Sequence, residues 1–177
     1  MSKKINAKNI AIIALLSSLS IILAQISRNL SVVPGFPMLK ADFSDVPIFI
    51  SALSFGTFHG ILVLLSVSII RALFFSSMGI FGFIMKMTSI VSVFFLGIYH
   101  KKKKFLVLLC VLAMLLSLLI KLPISYIFWT KFNSMSFEQI KMLIFPVIIP
   151  YNLSKLLINF LISVFLSKKL KNVLSKI

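Results

Sequence analysis

Asp42 and Asp45 are the residues whose type and spacing most clearly indicate a specific task. The 177-residue chain has three acidic residues against 19 lysines and arginines, and these two stand close together in the stretch LKADFSDVP, residues 39–47. One explanation is a helix start, in which Ser44 accepts a hydrogen bond from a free backbone amide and Asp45 favours the positive end of the helix dipole. A capped helix start also makes a rigid loop wall, so a binding role for Asp42 and its neighbours is compatible with this explanation.

Four cations fall within or near long apolar segments: Arg71, Lys86, Lys121 and Lys155. A charge inside a bilayer costs several kcal/mol unless it is solvated or paired, so such residues favour a polar cavity or an interface. Lys155 has the clearest pattern, because Asn152, Lys155 and Asn159 recur at i, i+3 and i+7 and share one helix face. The alternatives are a structural hydrogen-bond network between helices and, for Arg71 and Lys86, side chains that extend to the membrane surface. For Lys121, which stands beside Pro123, a role at a helix kink or an interface is the alternative to ligand contact.

The residues that enzymatic chemistry needs are missing from the sequence. It contains no Walker A loop, no HExxH motif and no serine–histidine–aspartate set. His59 and His100 are isolated from other metal-ligand types, and Cys110 lies in an apolar run, where a small packing residue is expected. We therefore expect no enzymatic activity, no cofactor and no metal.

The composition is that of an integral membrane protein. Hydrophobic residues make up 60% of the chain and charged residues 12%, about half the charged share of soluble proteins. A formal charge of +16 is also typical of proteins that bind nucleic acid, but here the lysines lie at the ends of apolar segments, as in the flanks of membrane helices. Because no cleavage site follows the first apolar segment, we expect it to be a retained helix rather than a signal peptide.

We predict an all-α fold, a bundle of six transmembrane helices with short loops, in a single membrane domain over residues 1–177. The approximate helices are 9–27, 46–57, 60–76, 80–99, 105–130 and 142–167. The second is short for a full crossing and is expected to pair with the third through a tight turn at residues 56–60, which contain two glycines. Five spans is the alternative count, with one long helix over residues 46–75.

Lysine clusters predict how the chain is oriented in the membrane. They lie on one side only if even numbers of helices separate them, and the positive-inside rule makes that side the cytoplasm. Both termini would then be cytoplasmic in the plasma membrane, and residues 28–45, 76–80 and 131–141 would face outward with all three acidic residues. The clusters are Lys3, Lys4 and Lys8, then residues 101–104, then Lys168, Lys169, Lys171 and Lys176.

A stripe of small residues marks the first helix: Ala7, Ala11, Ala14 and Ser18. Small side chains at helical spacing let a second helix approach closely. The stripe either packs within this chain or docks a partner membrane subunit.

Taken together, these motifs resemble the substrate-binding S components of energy-coupling-factor (ECF) vitamin transporters, and within them the riboflavin-specific branch. Residues 39–47 match that branch's L-K-x-D-F/L-S-D-I/V-P, residues 56–60 its glycine-centred turn, and Tyr151-Asn152 with Lys155 its F/Y-N-x-x-K motif. The GFIM stretch at residues 82–85 resembles the start of its fourth helix. The chain departs from the branch in having Lys86 and Ser125 where the branch has asparagine.

The resemblance implies a six-helix bundle that holds one vitamin near its outer face, docks on a transmembrane coupling subunit with two ATPases, and topples to release the vitamin inside. Riboflavin is the expected ligand, while the departures at Lys86 and Ser125 leave open a flavin phosphate or another vitamin-like molecule. Expected substrate-binding residues are Leu39, Lys40, Asp42, Phe43, Ser44, Arg71, Lys86, Ser125, Asn152 and Lys155; Ala7, Ala11, Ala14 and Ser18 are the expected docking residues.

Three other classes of membrane protein remain as alternatives. A scaffold would need the small-residue stripe but no inward polar pocket. A membrane enzyme would need catalytic carboxylates or metal ligands in the bilayer, and a stand-alone secondary transporter would need coupling-ion sites and repeat symmetry.

Overall fold

The computed structural model of the protein describes residues 7–27, 30, 39–75, 79–102 and 104–174, excluding the side chains of 132, 133 and 170–174. These residues form helices and connecting loops and contain no β-strand. Two π-helical segments continue the helices, Arg71–Phe75 after α3 and Ile144–Ile148 between α7 and α8. The helices are α1 (Ala7–Ser27), α2 (Asp45–Phe55), α3 (Thr57–Ile70), α4 (Gly79–Met87), α5 (Ile90–Lys102), α6 (Leu106–Asn133), α7 (Phe137–Leu143) and α8 (Ile149–Leu174).

Five helical stretches are long and apolar enough to cross a membrane. The sixth predicted crossing corresponds to α2, which is apolar but only 11 residues long. The protein is thus an all-helical membrane protein, and the count of six crossings stays a prediction. The five long stretches are Ala7–Ser27, Thr57–Phe75, Ile80–Lys102, Leu106–Lys131 and Phe137–Lys169.

The connection between α2 and α3 is tighter than the sequence predicted. A single residue, Gly56, separates the two helices, and its φ of 92° and ψ of 175° favour glycine. Gly60, predicted to lie in the turn, is buried inside α3. A Cβ atom at Gly60 would lie 2.9 Å from the Ala52 Cβ atom, so this glycine serves the close packing of α3 against α2.

The predicted helix over residues 80–99 is interrupted after Met87. Thr88 and Ser89 separate α4 from α5, and the Thr88 hydroxyl donates a hydrogen bond to the carbonyl of Met85 at 2.7 Å. A side-chain hydrogen bond to the backbone of this kind competes with continued helix formation. The break brings Lys86 and Ser89 together beside Asp45 at the start of α2.

Helix α2 lies at the centre of the bundle. Residues 45–53 are all buried, and the helix packs against α1, α3, α5 and α8. The rings of Phe49 and Phe160 stack with their centroids 4.9 Å apart. A helix that is covered all round must be apolar all round, and its packing holds the first residues of α2 in place beneath the preceding loop.

The sidedness of the chain in the membrane stays a prediction. Lysines that the structure describes within the three clusters are exposed: Lys8, Lys101, Lys102, Lys104, Lys168 and Lys169. Parts of the predicted topology lie outside the described residues or side chains: Lys3, Lys4, Lys103, Lys171, Lys176, the loop residues 28, 29 and 31–38, and residues 76–78.

Candidate functional site

A cavity of about 530 Å³ lies between the loop that precedes α2 and helices α4, α6 and α8. Its floor includes the start of α2, through Asp45, and its wall includes the π-helical segment after α3. The volume falls within the range typical of small-molecule sites. Charged side chains lining it are Lys40, Asp42, Asp45, Arg71, Lys86, Lys121 and Lys155, and aromatic ones are Phe75, Phe128, Trp129 and Tyr151.

Asp42 is the centre of the polar network in the loop. Its Oδ2 atom lies 3.3 Å from both Arg71 Nη1 and Lys155 Nζ. Its Oδ1 atom accepts hydrogen bonds from the Ser44 amide at 3.0 Å and the Ser44 hydroxyl at 2.5 Å. Burial alone would raise the pKa of Asp42, but the charges of Lys155, Lys86 and Arg71 and the Ser44 hydrogen bond hold that pKa well below its ordinary value. The carboxylate is therefore ionised at neutral pH.

The hydroxyl of Ser44 links Asp42, which it contacts directly, to Asp45, whose partner Lys86 it also contacts. It donates to Asp42 and accepts from Arg71 Nη1 at 2.9 Å and from Lys86 Nζ at 2.6 Å, which uses its full capacity of one donor and two lone pairs. The sequence predicted that this hydroxyl caps α2. Ser44 does occupy the N-cap position, but its side chain makes no capping hydrogen bond, because the network has already engaged it.

Asp45 and Lys86 form a buried ion pair. Lys86 Nζ lies 2.5 Å from Asp45 Oδ1, and their side chains are 7% and 2% exposed. The Ser89 hydroxyl donates to the same oxygen at 3.1 Å. Ser89 lies in the interruption between helices α4 and α5. Lys86 therefore lines the cavity with its ammonium group already held by a carboxylate and a hydroxyl.

One face of α8 holds the loop from the other side. Besides the Lys155 contact with Asp42, Asn159 Nδ2 donates to the Asp42 carbonyl at 2.9 Å. The Tyr151 hydroxyl donates to the Lys40 carbonyl at 2.6 Å, whereas Asn152 Nδ2 donates to Ile148 in its own helix at 2.9 Å. Lys155 and Asn159 of the predicted polar face thus bind the loop before α2 rather than the side chains of another helix.

Eight of the ten substrate-binding residues predicted from the sequence line the cavity. Ser44 lies behind the wall, within the network described above. Phe43 lies on the other side of the loop: its amide donates to Ser27 Oγ at 3.3 Å, and the residue lines a second cavity of about 250 Å³ beside Pro146 and Pro150. The eight are Leu39, Lys40, Asp42, Arg71, Lys86, Ser125, Asn152 and Lys155.

The aromatic wall of the cavity was not predicted from the sequence. Phe128 and Trp129 are buried and meet edge to face, with ring centroids 6.1 Å apart. Trp129 is the only tryptophan of the chain, and Tyr151 belongs to the Tyr-Asn motif, so the sequence could have indicated both as candidate site residues. Nothing in the sequence indicates Phe75 and Phe128 as site residues, because lipid-facing and cavity-facing positions of an apolar helix are both apolar.

The small-residue stripe of α1 is exposed. Ala7, Ala11, Ala14 and Ser18 all face away from the rest of the described chain, whereas Leu16 and other residues of the opposite face are buried. The described part of the chain therefore leaves this stripe uncovered, and its use in docking a partner stays a prediction.

Comparisons with known proteins agree with this architecture. No curated protein sequence matches the chain. A solved structure of the S component of a bacterial ECF transporter is similar, with a TM-score of 0.73 and 26% sequence identity over 94% of this chain and 97% of that one. The family model of the ECF transporter substrate-specific component matches residues 8–167. Because that match extends over most of the chain, the protein belongs to the family of substrate-specific components of ECF transporters.

Proposed function

We propose that this protein captures a flavin at the outer face of the plasma membrane for ATP-driven import. Riboflavin is the ligand that the motif at residues 39–47 favours, and its phosphate is the alternative. As a transport subunit the protein is not an enzyme and needs no cofactor of its own. Among the described residues there is no group of three metal-ligating side chains.

The observation that carries this proposal is the combination of an aromatic wall and fixed polar groups around one cavity of about 530 Å³. A flavin ring is flat and aromatic, so Phe128, Trp129 and Tyr151 offer surfaces for stacked or edge-on contact. Polar groups such as Ser125 and Asn152 would fix the orientation of the ring by hydrogen bonds, as in other small-molecule sites.

Preorganisation of the loop supports a binding role for the cavity. Asp42 is held by cations from two different helical segments, and the Ser20 hydroxyl of α1 donates to the Ser44 carbonyl at 2.6 Å. A wall fixed in this way before binding loses little conformational entropy when a ligand enters.

We propose that six crossings put this loop outside and both termini in the cytoplasm.

Energy for transport must come from partners. The sequence has no Walker A loop, so we propose that the chain docks on a transmembrane coupling subunit that carries two ATPase subunits. The exposed stripe of Ala7, Ala11, Ala14 and Ser18 is the proposed docking face, because small side chains allow close helix packing in a bilayer.

Titration of the purified protein with riboflavin, followed by quenching of flavin fluorescence, tests the proposal. We expect submicromolar binding. The control variant Lys141→Ala, which changes an exposed lysine outside the cavity lining, should bind equally well. Mass spectrometry of any molecule that copurifies provides an independent measurement. Absence of binding for both riboflavin and its phosphate would defeat the flavin assignment and leave the family assignment standing.

A further inference from the structure

Positive charge is in excess around the cavity. Among its described lining residues five are cationic, Lys40, Arg71, Lys86, Lys121 and Lys155, and two are acidic, Asp42 and Asp45. The chain has only one other acidic side chain, Glu138, which is exposed in the first turn of α7. All three acidic side chains are thus accounted for, and none is left to balance the excess.

Lys121 is a buried lining cation without a partner; Lys40, which also has no ion pair among the described residues, is only half-buried. Asp45 is occupied by Lys86, and Asp42 is shared by Arg71 and Lys155. Lys121 is 6% exposed and lines the cavity from α6. Among the interactions of the described residues, its ammonium group has neither an ion pair nor a hydrogen bond.

The position of Lys121 along its helix rules out the usual way of relieving such a charge. It stands ten residues before Lys131, the end of the apolar stretch Leu106–Lys131, which corresponds to about 15 Å along a helix. A lysine side chain is too short to extend over that distance to the membrane surface. The ammonium group of Lys121 is therefore available to a molecule bound in the cavity.

We infer that the ligand of this cavity carries an anionic group, a phosphate or a carboxylate, that contacts the ammonium group of Lys121. The inference rests on the proposed function, because it specifies the charge of the substrate that the same cavity captures. A phosphate monoester carries about 1.5–2 negative charges at neutral pH, which suits a cavity with this excess of cations. Within the flavins, it favours riboflavin 5′-phosphate over neutral riboflavin.

An anionic lipid headgroup would supply the same chemistry as a soluble phosphate. We assign the site to a soluble ligand because Lys121 shares the cavity with Phe128 and Trp129 of its own helix, which are buried aromatic residues rather than lipid-facing ones. The experiment has an arm for each source.

The test compares riboflavin with riboflavin 5′-phosphate on the full-length protein in phosphatidylcholine nanodiscs. The wild type should bind the phosphate at least about tenfold more tightly, a difference of about 1.4 kcal/mol. In Lys121→Met the ratio of the two affinities should fall to about one. Lys131→Met, which removes an exposed lysine of the same helix, should keep the preference, and so should Lys121→Arg, which also serves if Lys121→Met does not fold.

Each remaining outcome has a defined meaning. Equal affinities in the wild type, or a phosphate preference that survives in Lys121→Met, would overturn the inference while riboflavin binding kept the proposed function intact. A tenfold loss of riboflavin phosphate affinity in nanodiscs containing phosphatidylglycerol would assign the cation to a lipid headgroup and overturn the soluble ligand; unchanged affinity supports it.

If neither flavin binds, the proposed flavin function fails and inorganic phosphate becomes the probe. Phosphate should then raise the melting temperature of the wild type relative to chloride at the same ionic strength, but not that of Lys121→Met. No difference between phosphate and chloride would overturn the inference as well.

Discussion

Replacing Asp45 with alanine should destabilise the protein strongly, because it leaves the Lys86 ammonium group buried without a charged partner. The two side chains are 2% and 7% exposed and 2.5 Å apart. Removing one partner of a buried ion pair costs about 3–5 kcal/mol. Since the Ser44 hydroxyl still accepts from Lys86 at 2.6 Å, we expect a value near the lower end, about 3 kcal/mol.

The second variant of the cycle removes both charges. Apolar replacement of a whole buried pair is often neutral or stabilising, so Asp45→Ala combined with Lys86→Met should be more stable than Asp45→Ala alone. We expect the two substitutions to be coupled by about 1–3 kcal/mol, the range found for residues in one network.

Thermal unfolding in one detergent, followed by the fluorescence of the single tryptophan, measures these differences. At about 2–4 °C for each kcal/mol in a chain of this size, Asp45→Ala should lower the melting temperature by about 6–12 °C. The control is Glu138→Ala, which removes the exposed acidic residue and should change the melting temperature by no more than about 2 °C. An effect of Asp45→Ala as small as that of the control, or strictly additive effects in the double variant, would refute a structural role for the pair.

Four further predictions concern binding, acid stability, docking and topology. Lys155→Ala should weaken flavin binding about five- to hundredfold in a fluorescence titration, by about 1–3 kcal/mol for an unpaired ligand group; unchanged affinity would remove Lys155 from the site. Because the folded-state pKa of Asp42 lies below its ordinary value of about 4, the stability from its ionised form is complete above that value and is lost as the pH falls through the folded pKa. Asp42→Asn should abolish this acid-side loss in thermal unfolding. Ala11→Trp or Ala14→Trp should reduce copurification with the coupling subunit without affecting flavin binding, whereas joint loss would mean that the stripe is needed for folding. A cysteine replacing Lys104 in a cysteine-free background should react only from the cytoplasm, and labelling from outside would contradict the topology.

Local patterns made part of this architecture predictable. Long apolar stretches between lysines predicted a helical membrane protein, because hydropathy and length are properties of the segment itself. The common face of Lys155 and Asn159 followed from helical spacing, and the structure has both residues in contact with the loop before α2. Their role in substrate binding stays a prediction.

Those patterns do not predict contacts between segments that are distant in the sequence. Lys86 is predicted from the sequence to contact the ligand or to extend to the membrane surface, and no local pattern indicates its pairing with Asp45. That pairing depends on the break at Thr88 and Ser89 and on the central position of α2, both of which arise from packing. The sequence likewise predicts Gly60 in a turn, and its neighbours in the fold, Val93 and Ala52, show that it serves close helix contact.

The two aspartates have different relations to the cavity, and this difference bears on how a ligand could be captured. Asp45 is almost fully buried, and its partner Lys86 is 7% exposed, so this pair fixes the fold. Asp42 is 17% exposed and shares one oxygen between two partly exposed cations, Arg71 and Lys155. A ligand whose anionic group contacts Lys121 would leave both the buried pair and the contacts of Asp42 intact. The loop that forms the wall would then keep its order whether or not the cavity is occupied.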